Sequence, residues 1–285
     1  MTVDPGLCFH RSRDGLRLAY RRSGPVDDHR PAVLCLPGLA RNSRDFLAVA
    51  ERLSAQGHRV LCPDWRGRGH SDRDPRPERY NPQSYIDDLA QLLALEGVER
   101  FIAIGTSMGG LIACALGVVK PAGLAGVLLN DIGPELPQGG LARIRNYIGR
   151  DWPQPDWPSA VACLKAMLPT LGLQSEAEWQ SLAEASFRSG PDGLLHADWD
   201  PRVADALARA DALPDLWALF RSLRDIPVTV VRGGQSDILS ADLVQRMERE
   251  HPRLRSVVIP WAGHTPTLSE PACQEAIDEL CAASR

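Results

Sequence analysis

Lysine is almost absent from this chain. Lys120 and Lys165 are the only two, so arginine carries nearly all of the positive charge. We read this as a bias of composition and give it no functional weight. Acidic residues still outnumber basic ones, 36 to 32, and no basic stripe gathers along the sequence. A nucleic-acid partner therefore has no electrostatic footprint here. No Cys-x-x-Cys pair occurs among the seven scattered cysteines, which argues against a zinc or redox site. Buried free thiols in a reducing compartment fit that pattern. No apolar run approaches the 18 residues of a membrane-spanning helix, and Met1–His10 lacks the apolar stretch of a secretory leader. Repeats and low-complexity tracts are missing too. The expectation is a soluble cytoplasmic protein without membrane contact.

What is present suffices for a large core. Of 285 residues, 44% are hydrophobic and 24% charged. A chain of this length buries roughly three-quarters of its unfolded surface. Short apolar runs alternate with helical patterns, the signature of a mostly parallel sheet. An opening hairpin is expected from Leu7–His10 and Leu16–Arg21 about a turn at Asp14-Gly15. Strands follow at Ala32–Leu36, His58–Cys62, Arg100–Ile104 and Gly126–Asn130. Helices are expected over Arg44–Ala55, over Ser84–Leu95 with Asp87 and Asp88 in its first turn, and over Met108–Val118.

The rhythm breaks from Gly133 to Leu223. No strand is expected there, only helices (Leu141–Ile148, Ser159–Leu168, Glu176–Phe187, Arg202–Ala210, Leu213–Leu223) between proline-rich turns. This stretch holds five of the seven tryptophans: Trp152, Trp157, Trp179, Trp199 and Trp217. It reads either as a lid over a site or as a helical subdomain with an ordinary core. The alternation resumes with strand Val228–Val231, helix Ala241–Glu250, strand Ser256–Ile259 and a last helix from Glu270 to Ala283. The division expected is 1–132 and 224–285 for one core, with 133–223 inserted.

The most specific feature is Gly105-Thr106-Ser107-Met108-Gly109, a G-x-S-x-G run between an expected strand and an expected helix. A strand that reverses at once into a helix forces its central residue into a strained conformation. Side chains two positions either way would collide, so glycine stands at both. Ser107 is lifted clear of the surface as a candidate nucleophile. A serine hydroxyl needs a base. Of seven histidines, His264 is the best placed, in a loop after the last strand, where parallel sheets put their chemistry. His58 and His251 sit beside strand starts and are expected to be solvated. The base needs a carboxylate to orient it. Asp237, after the strand Val228–Val231, is the first choice; Asp131, ending the strand after the nucleophile's, is the runner-up. An oxyanion needs main-chain donors, for which we name the N–H groups of Leu39 and Met108.

With these segments in hand, the chain resembles the α/β-hydrolase superfamily, in its capped, esterase-like branch, over nearly its whole length. Leu36-Pro37-Gly38-Leu39 looks like the oxyanion loop, with Pro37 where histidine is commonest. Asp64-Trp65-Arg66-Gly67-Arg68-Gly69-His70-Ser71 is similar to a D-x-R-G-x-G-x-S turn that borders the site. Gly105–Gly110, Gly233–Asp237 and Gly263-His264 look like the elbow, acid and histidine loops. The resemblance implies an eight-stranded, mostly parallel sheet with helices on both faces and a helical cap. It implies a structural role for Asp131, accepting hydrogen bonds where the chain leaves for the cap. Arg66 and Asp72 are expected to pair or cap near the site mouth.

The reading is a serine hydrolase cleaving a small carboxylic ester through Ser107, His264 and Asp237, without a metal or cofactor, as a monomer or homodimer. A C–C bond hydrolase or enol-lactonase on the same residues is the second reading, with Arg41, Arg143 or Arg145 as anchors for a substrate carboxylate. A non-catalytic sensor of a small ligand is the third. His196 is a candidate to reach the pocket from the cap, against a plain structural role.

Overall fold

The protein is described by a computed structural model covering residues 6–26, 29–205 and 215–284. Its main sheet has eight strands: β1 (Leu7–Arg11), β2 (Arg17–Ser23), β3 (Ala32–Leu36), β4 (Val60–Pro63), β5 (Phe101–Thr106), β6 (Leu124–Asn130), β9 (Val228–Gly233) and β10 (Leu254–Ile259). The order across the sheet is β1-β2-β4-β3-β5-β6-β9-β10. β1 and β2 form the expected antiparallel hairpin, β2 meets β4 antiparallel, and all later neighbours run parallel.

The central strands β3 and β6 are buried at every position, as strands covered on both faces must be. Successive side chains point to opposite faces, and this divides the core in two. Leu34, Leu36, Ala103, Val127, Leu129 and Val230 face one layer, filled from α2 (Pro82–Leu95), α3 (Met108–Val119) and α8 (Ala241–Glu250). Val33, Cys35, Ile102, Ile104, Leu128 and Val231 face the other, filled from α1 (Leu47–Ala55) and α9 (Pro271–Ala283). Helix starts follow local chemistry. Asn81 accepts the Ser84 N–H and Pro82 fills the first turn, so α2 begins two residues before the expected Ser84. Asp87 and Asp88 therefore lie beyond the first turn. Asp88 is buried against the Arg66 guanidinium instead, which also reaches Asp74 and Asp14. Asp72, expected near Arg66, accepts the Arg17 N–H at 2.8 Å.

The segment between β6 and β9 carries α4 (Gln138–Ile148), α5 (Trp157–Met167), α6 (Glu176–Ser186) and α7 (Leu216–Arg221). A capping box of Ser175 and Glu178 opens α6. Contrary to the expectation of helices only, β7 (Phe187–Ser189) and β8 (Leu195–Ala197) pair as a small antiparallel hairpin. Its strands have three residues each, too short for a periodic signal, and Gly190 and Gly193 make the turn. Of the helix expected over Arg202–Ala210, Pro201–Ala204 is a 3-10 turn, and 206–210 lies outside the described residues. The helix expected from Leu213 is observed as α7.

The inserted segment has a small core of its own, built from Ala160, Leu164, Trp179, Ala183, Phe187 and Leu195. Ile148, Trp199, Val203 and Phe220 belong instead to the main core. His58 and His251 are buried, not solvated. His251 makes its burial tolerable through Nε2 with the Leu223 carbonyl at 2.9 Å and Nδ1 with the Arg253 N–H. Among the described residues no helix is long and apolar enough to cross a membrane.

Candidate active site

The turn from β5 into α3 has the strain that the glycine spacing predicts. Ser107 sits at φ 51°, ψ −116°, in left-handed territory that a serine enters only under constraint. A Cβ on Gly105 would stand 2.4 Å from the Gly109 backbone, and one on Gly109 would stand 2.0 Å from the Leu36 carbonyl oxygen. The two positions are glycine because backbone occupies the space a side chain would need. The Ser107 N–H donates to the Asn130 carbonyl at 3.0 Å, which ties the bend to the end of β6.

His264 comes from the loop after β10. Its Nε2 lies 3.0 Å from Ser107 Oγ. Its Nδ1 lies 2.7 Å from a carboxylate oxygen, and that carboxylate is Asp131, not Asp237. This corrects the first choice made on the sequence. Asp131 follows β6, the strand beside the nucleophile's β5, and its side chain is fully buried. It too has a positive φ, 55°, which turns the carboxylate back across the strand ends. Its other oxygen accepts the Gly233 N–H at 2.8 Å, and the Ser236 hydroxyl donates to the oxygen that faces His264. Three donors around one buried carboxylate fix its position.

Asp237 lies one strand further out, beyond β9. Both its oxygens are taken by Arg143 of α4, at 2.8 and 2.7 Å. That guanidinium holds the Asp237 carboxyl below the usual carboxylate range. Asp237 thus ties the inserted segment to the core loop. The structural role expected of Asp131 and the orienting position expected of Asp237 are exchanged.

The two expected oxyanion donors, the N–H groups of Leu39 and Met108, have no acceptor among the described residues, as an anion site requires. Met108 opens α3, whose N-terminal end favours negative charge. The Leu39 loop is braced from behind. Arg68 Nε donates to the Leu39 carbonyl at 2.7 Å, and Trp65 Nε1 to the Pro37 carbonyl at 2.9 Å. Trp65 and Arg68 belong to the Asp64–Ser71 turn, which explains why that turn borders the site.

Two side chains near the centre escaped the sequence reading. Asn130 donates through Nδ2 to Thr106 Oγ1 and to the Pro266 carbonyl, joining the nucleophile strand to the histidine loop. Ser236 bonds Asp131 and accepts the Ile238 and Leu239 N–H groups. Their only signal was position, each at or just beyond a strand end.

Ser107 and His264 open into a cavity of about 730 Å³ between core loops and the inserted segment. Its apolar wall comes from Leu168, Leu171, Leu173 and Leu182, together with Ile144 and Leu268. None of the five tryptophans of the insertion lines it; Trp179 and Trp199 pack in the two cores. His196 does not reach it either. That ring is held between Asp151 and Asp192, at 2.6 and 3.0 Å. Three arginines do line the cavity, and each is matched. Arg41 pairs with Asp45, Arg44 with Asp198 and Arg143 with Asp237. Arg145 is exposed outside it.

A strained serine, an imidazole within bonding distance, a buried carboxylate behind it and free main-chain donors beside it can together carry out nucleophilic acyl transfer. The comparisons agree with that chemistry. The chain matches the Alpha/beta hydrolase family over residues 33–274 and belongs to it. Its relatives are named as hydrolases and esterases. Its relatives include the 3-hydroxybutyrate-oligomer hydrolase of Cupriavidus necator, 36% identical over 95% of this chain and 96% of that protein. An esterase of Mycobacterium tuberculosis is 26% identical over 85% of this chain and 79% of its own length. Among solved structures, an alpha/beta hydrolase from Novosphingobium aromaticivorans superposes with a TM-score of 0.91 at 41% identity, covering 97% of this chain and 98% of that one.

Proposed function

We propose that the protein hydrolyses carboxylic esters through Ser107, His264 and Asp131, and that its substrates are oligoesters of a short hydroxyacid. The observation that carries the reading is the unbroken relay from Ser107 Oγ to His264 Nε2, at 3.0 Å, and from Nδ1 to Asp131, at 2.7 Å. Ser107 attacks the ester carbonyl as His264 takes its proton. The N–H groups of Leu39 and Met108 hold the tetrahedral oxygen, each donor contributing about 3 kcal/mol in comparable sites. His264 then protonates the leaving alkoxide, and an acyl-serine remains. Water, deprotonated by His264, releases the acid. Asp131 keeps the imidazole in the tautomer with its proton on Nδ1 and stabilises the imidazolium.

The substrate class rests on two supports. The relative from Cupriavidus necator is named for hydrolysis of 3-hydroxybutyrate oligomers and aligns end to end with this chain. The cavity is large and mostly apolar, and its arginines are already paired. A paired cation offers little to a second anion, so the cavity favours uncharged ester repeats. The inserted segment acts as the cap that encloses the chain.

The test is release of 3-hydroxybutyrate from its trimer, followed by chromatography, beside labelling with a fluorophosphonate. Wild type hydrolyses the trimer and takes one label; Ser107→Ala does neither. A Ser107→Ala protein that still cleaves the trimer sinks the reading. An unlabelled, inert wild type moves the protein to the sensor class.

A further inference from the structure

Tyr147 stands on α4, in the roof of the cavity. Its hydroxyl is buried and meets no hydrogen-bond partner among the described residues. The nearest candidates are engaged elsewhere. Ser186 gives its proton to the Leu182 carbonyl at 2.6 Å and receives Arg41. Arg41 is bound to Asp45 through Nε at 2.7 Å. The ring cannot swing away to find water. It packs on Trp199 at 5.4 Å, Trp199 Nε1 holds the adjacent Ile148 carbonyl, and Trp152 Nε1 holds the carbonyl of Tyr147 itself.

A buried hydroxyl left without a partner costs free energy, so its retention in a fixed pose asks for a reason. Burial raises the Tyr147 phenol to about 12, so it remains a proton donor. Arg41 lies near enough to interact with it electrostatically, and a guanidinium has no acceptor to offer a phenol proton. Asn130 Oδ1 is the other buried unpartnered atom among the described lining residues, but it accepts, so it cannot bind an ester carbonyl.

We propose that the Tyr147 hydroxyl donates to an ester carbonyl of the substrate other than the one Ser107 attacks, and so selects oligoesters over plain acyl esters of the same length. This rests on the ester-hydrolase reading of the site and deepens it. A plain aliphatic chain leaves the hydroxyl buried and unpaired, whereas a second ester repeat satisfies it. Discrimination by a donor that one substrate fails to meet is the stronger kind of selectivity.

The experiment compares three 4-nitrophenyl esters: that of the 3-hydroxybutyrate dimer, that of octanoic acid, and that of 3-(3-hydroxybutoxy)butyric acid, an ether that keeps the terminal hydroxyl and lacks only the second carbonyl. In wild type the dimer ester has the highest kcat/KM, and loss of the carbonyl lowers it about fivefold, mainly through KM, as one neutral hydrogen bond dictates. Tyr147→Phe erases the advantage of the dimer ester over the ether. The wild-type comparison of dimer and ether stands without the variant, should the variant fold poorly. Equal wild-type KM values for dimer and ether overturn the proposal. So does a Tyr147→Phe protein that slows all three esters by one factor, since that is a structural effect. Failure of wild type to cleave any of the three overturns the hydrolase reading itself, an outcome distinct from the other two.

Discussion

Two aspartates end neighbouring strands of one sheet and have opposite surroundings. Asp131 is fully buried, faces three donors inside the core and, among the described residues, has no arginine paired with it. Asp237 is half-exposed and held by a single arginine from the insertion. A carboxylate that must orient an imidazole needs fixed donors and no competing cation. A carboxylate that fastens a roof needs a long, charged partner that reaches across. Sequence position assigns both residues to strand ends; the lateral order of strands decides which one meets the histidine.

The comparison is broken most severely at Asp131. Asp131→Asn should lower kcat by about 10³ to 10⁴ on any ester, since the imidazole loses its orienting carboxylate. Asp237→Asn should stay within about threefold of wild type, because only a solvent-screened ion pair is lost. Steady-state kinetics of the two single variants reads this directly, and an inactive Asp237→Asn beside an active Asp131→Asn reverses the assignment. Next in size comes Ser236→Ala, which removes one hydrogen bond to the buried carboxylate and should lower kcat about tenfold with KM little changed. A rise in KM alone contradicts that role. Then comes the fastening. Arg143→Asp puts two carboxylates face to face and should speed proteolysis of the insertion, and adding Asp237→Arg should restore wild-type resistance. Persistent sensitivity in the double variant denies the pairing. The smallest effect belongs to His196, whose pKa is raised by hydrogen bonds first from Asp151 and then from Asp192. Its contribution is fully present below the unfolded value of about 6.5 and fades as pH rises through the elevated folded value. Melting temperatures of wild type and His196→Asn should therefore differ more at pH 6 than at pH 9; a constant gap refutes the linkage.

The legible parts of this molecule were those whose causes are local. The elbow at Ser107 could be read because a tight reversal demands glycine at two fixed offsets, whatever surrounds it. The central strands were legible because burial on both faces leaves uninterrupted apolar runs. His264 followed from its place after the last strand. The acid was harder. Asp131 and Asp237 both follow strands, and what separates them is a bond to Arg143, 94 residues before Asp237 in the chain. Nothing local marks that arginine as a partner. The tryptophans left lid and subdomain core undecided for a related reason: large flat rings can line a pocket or fill a core, and here none lines the cavity. The β7–β8 hairpin was too short to announce itself.

One contact binds the fate of the roof to that of the base. The Gly263 N–H, next to His264, donates to the Leu171 carbonyl of the insertion at 3.1 Å, and Gly263 itself is pressed against the Thr170 backbone. Lifting this edge of the roof would tug the imidazole out of line with the serine. An opening of the roof that keeps serine and imidazole aligned must therefore leave this contact closed.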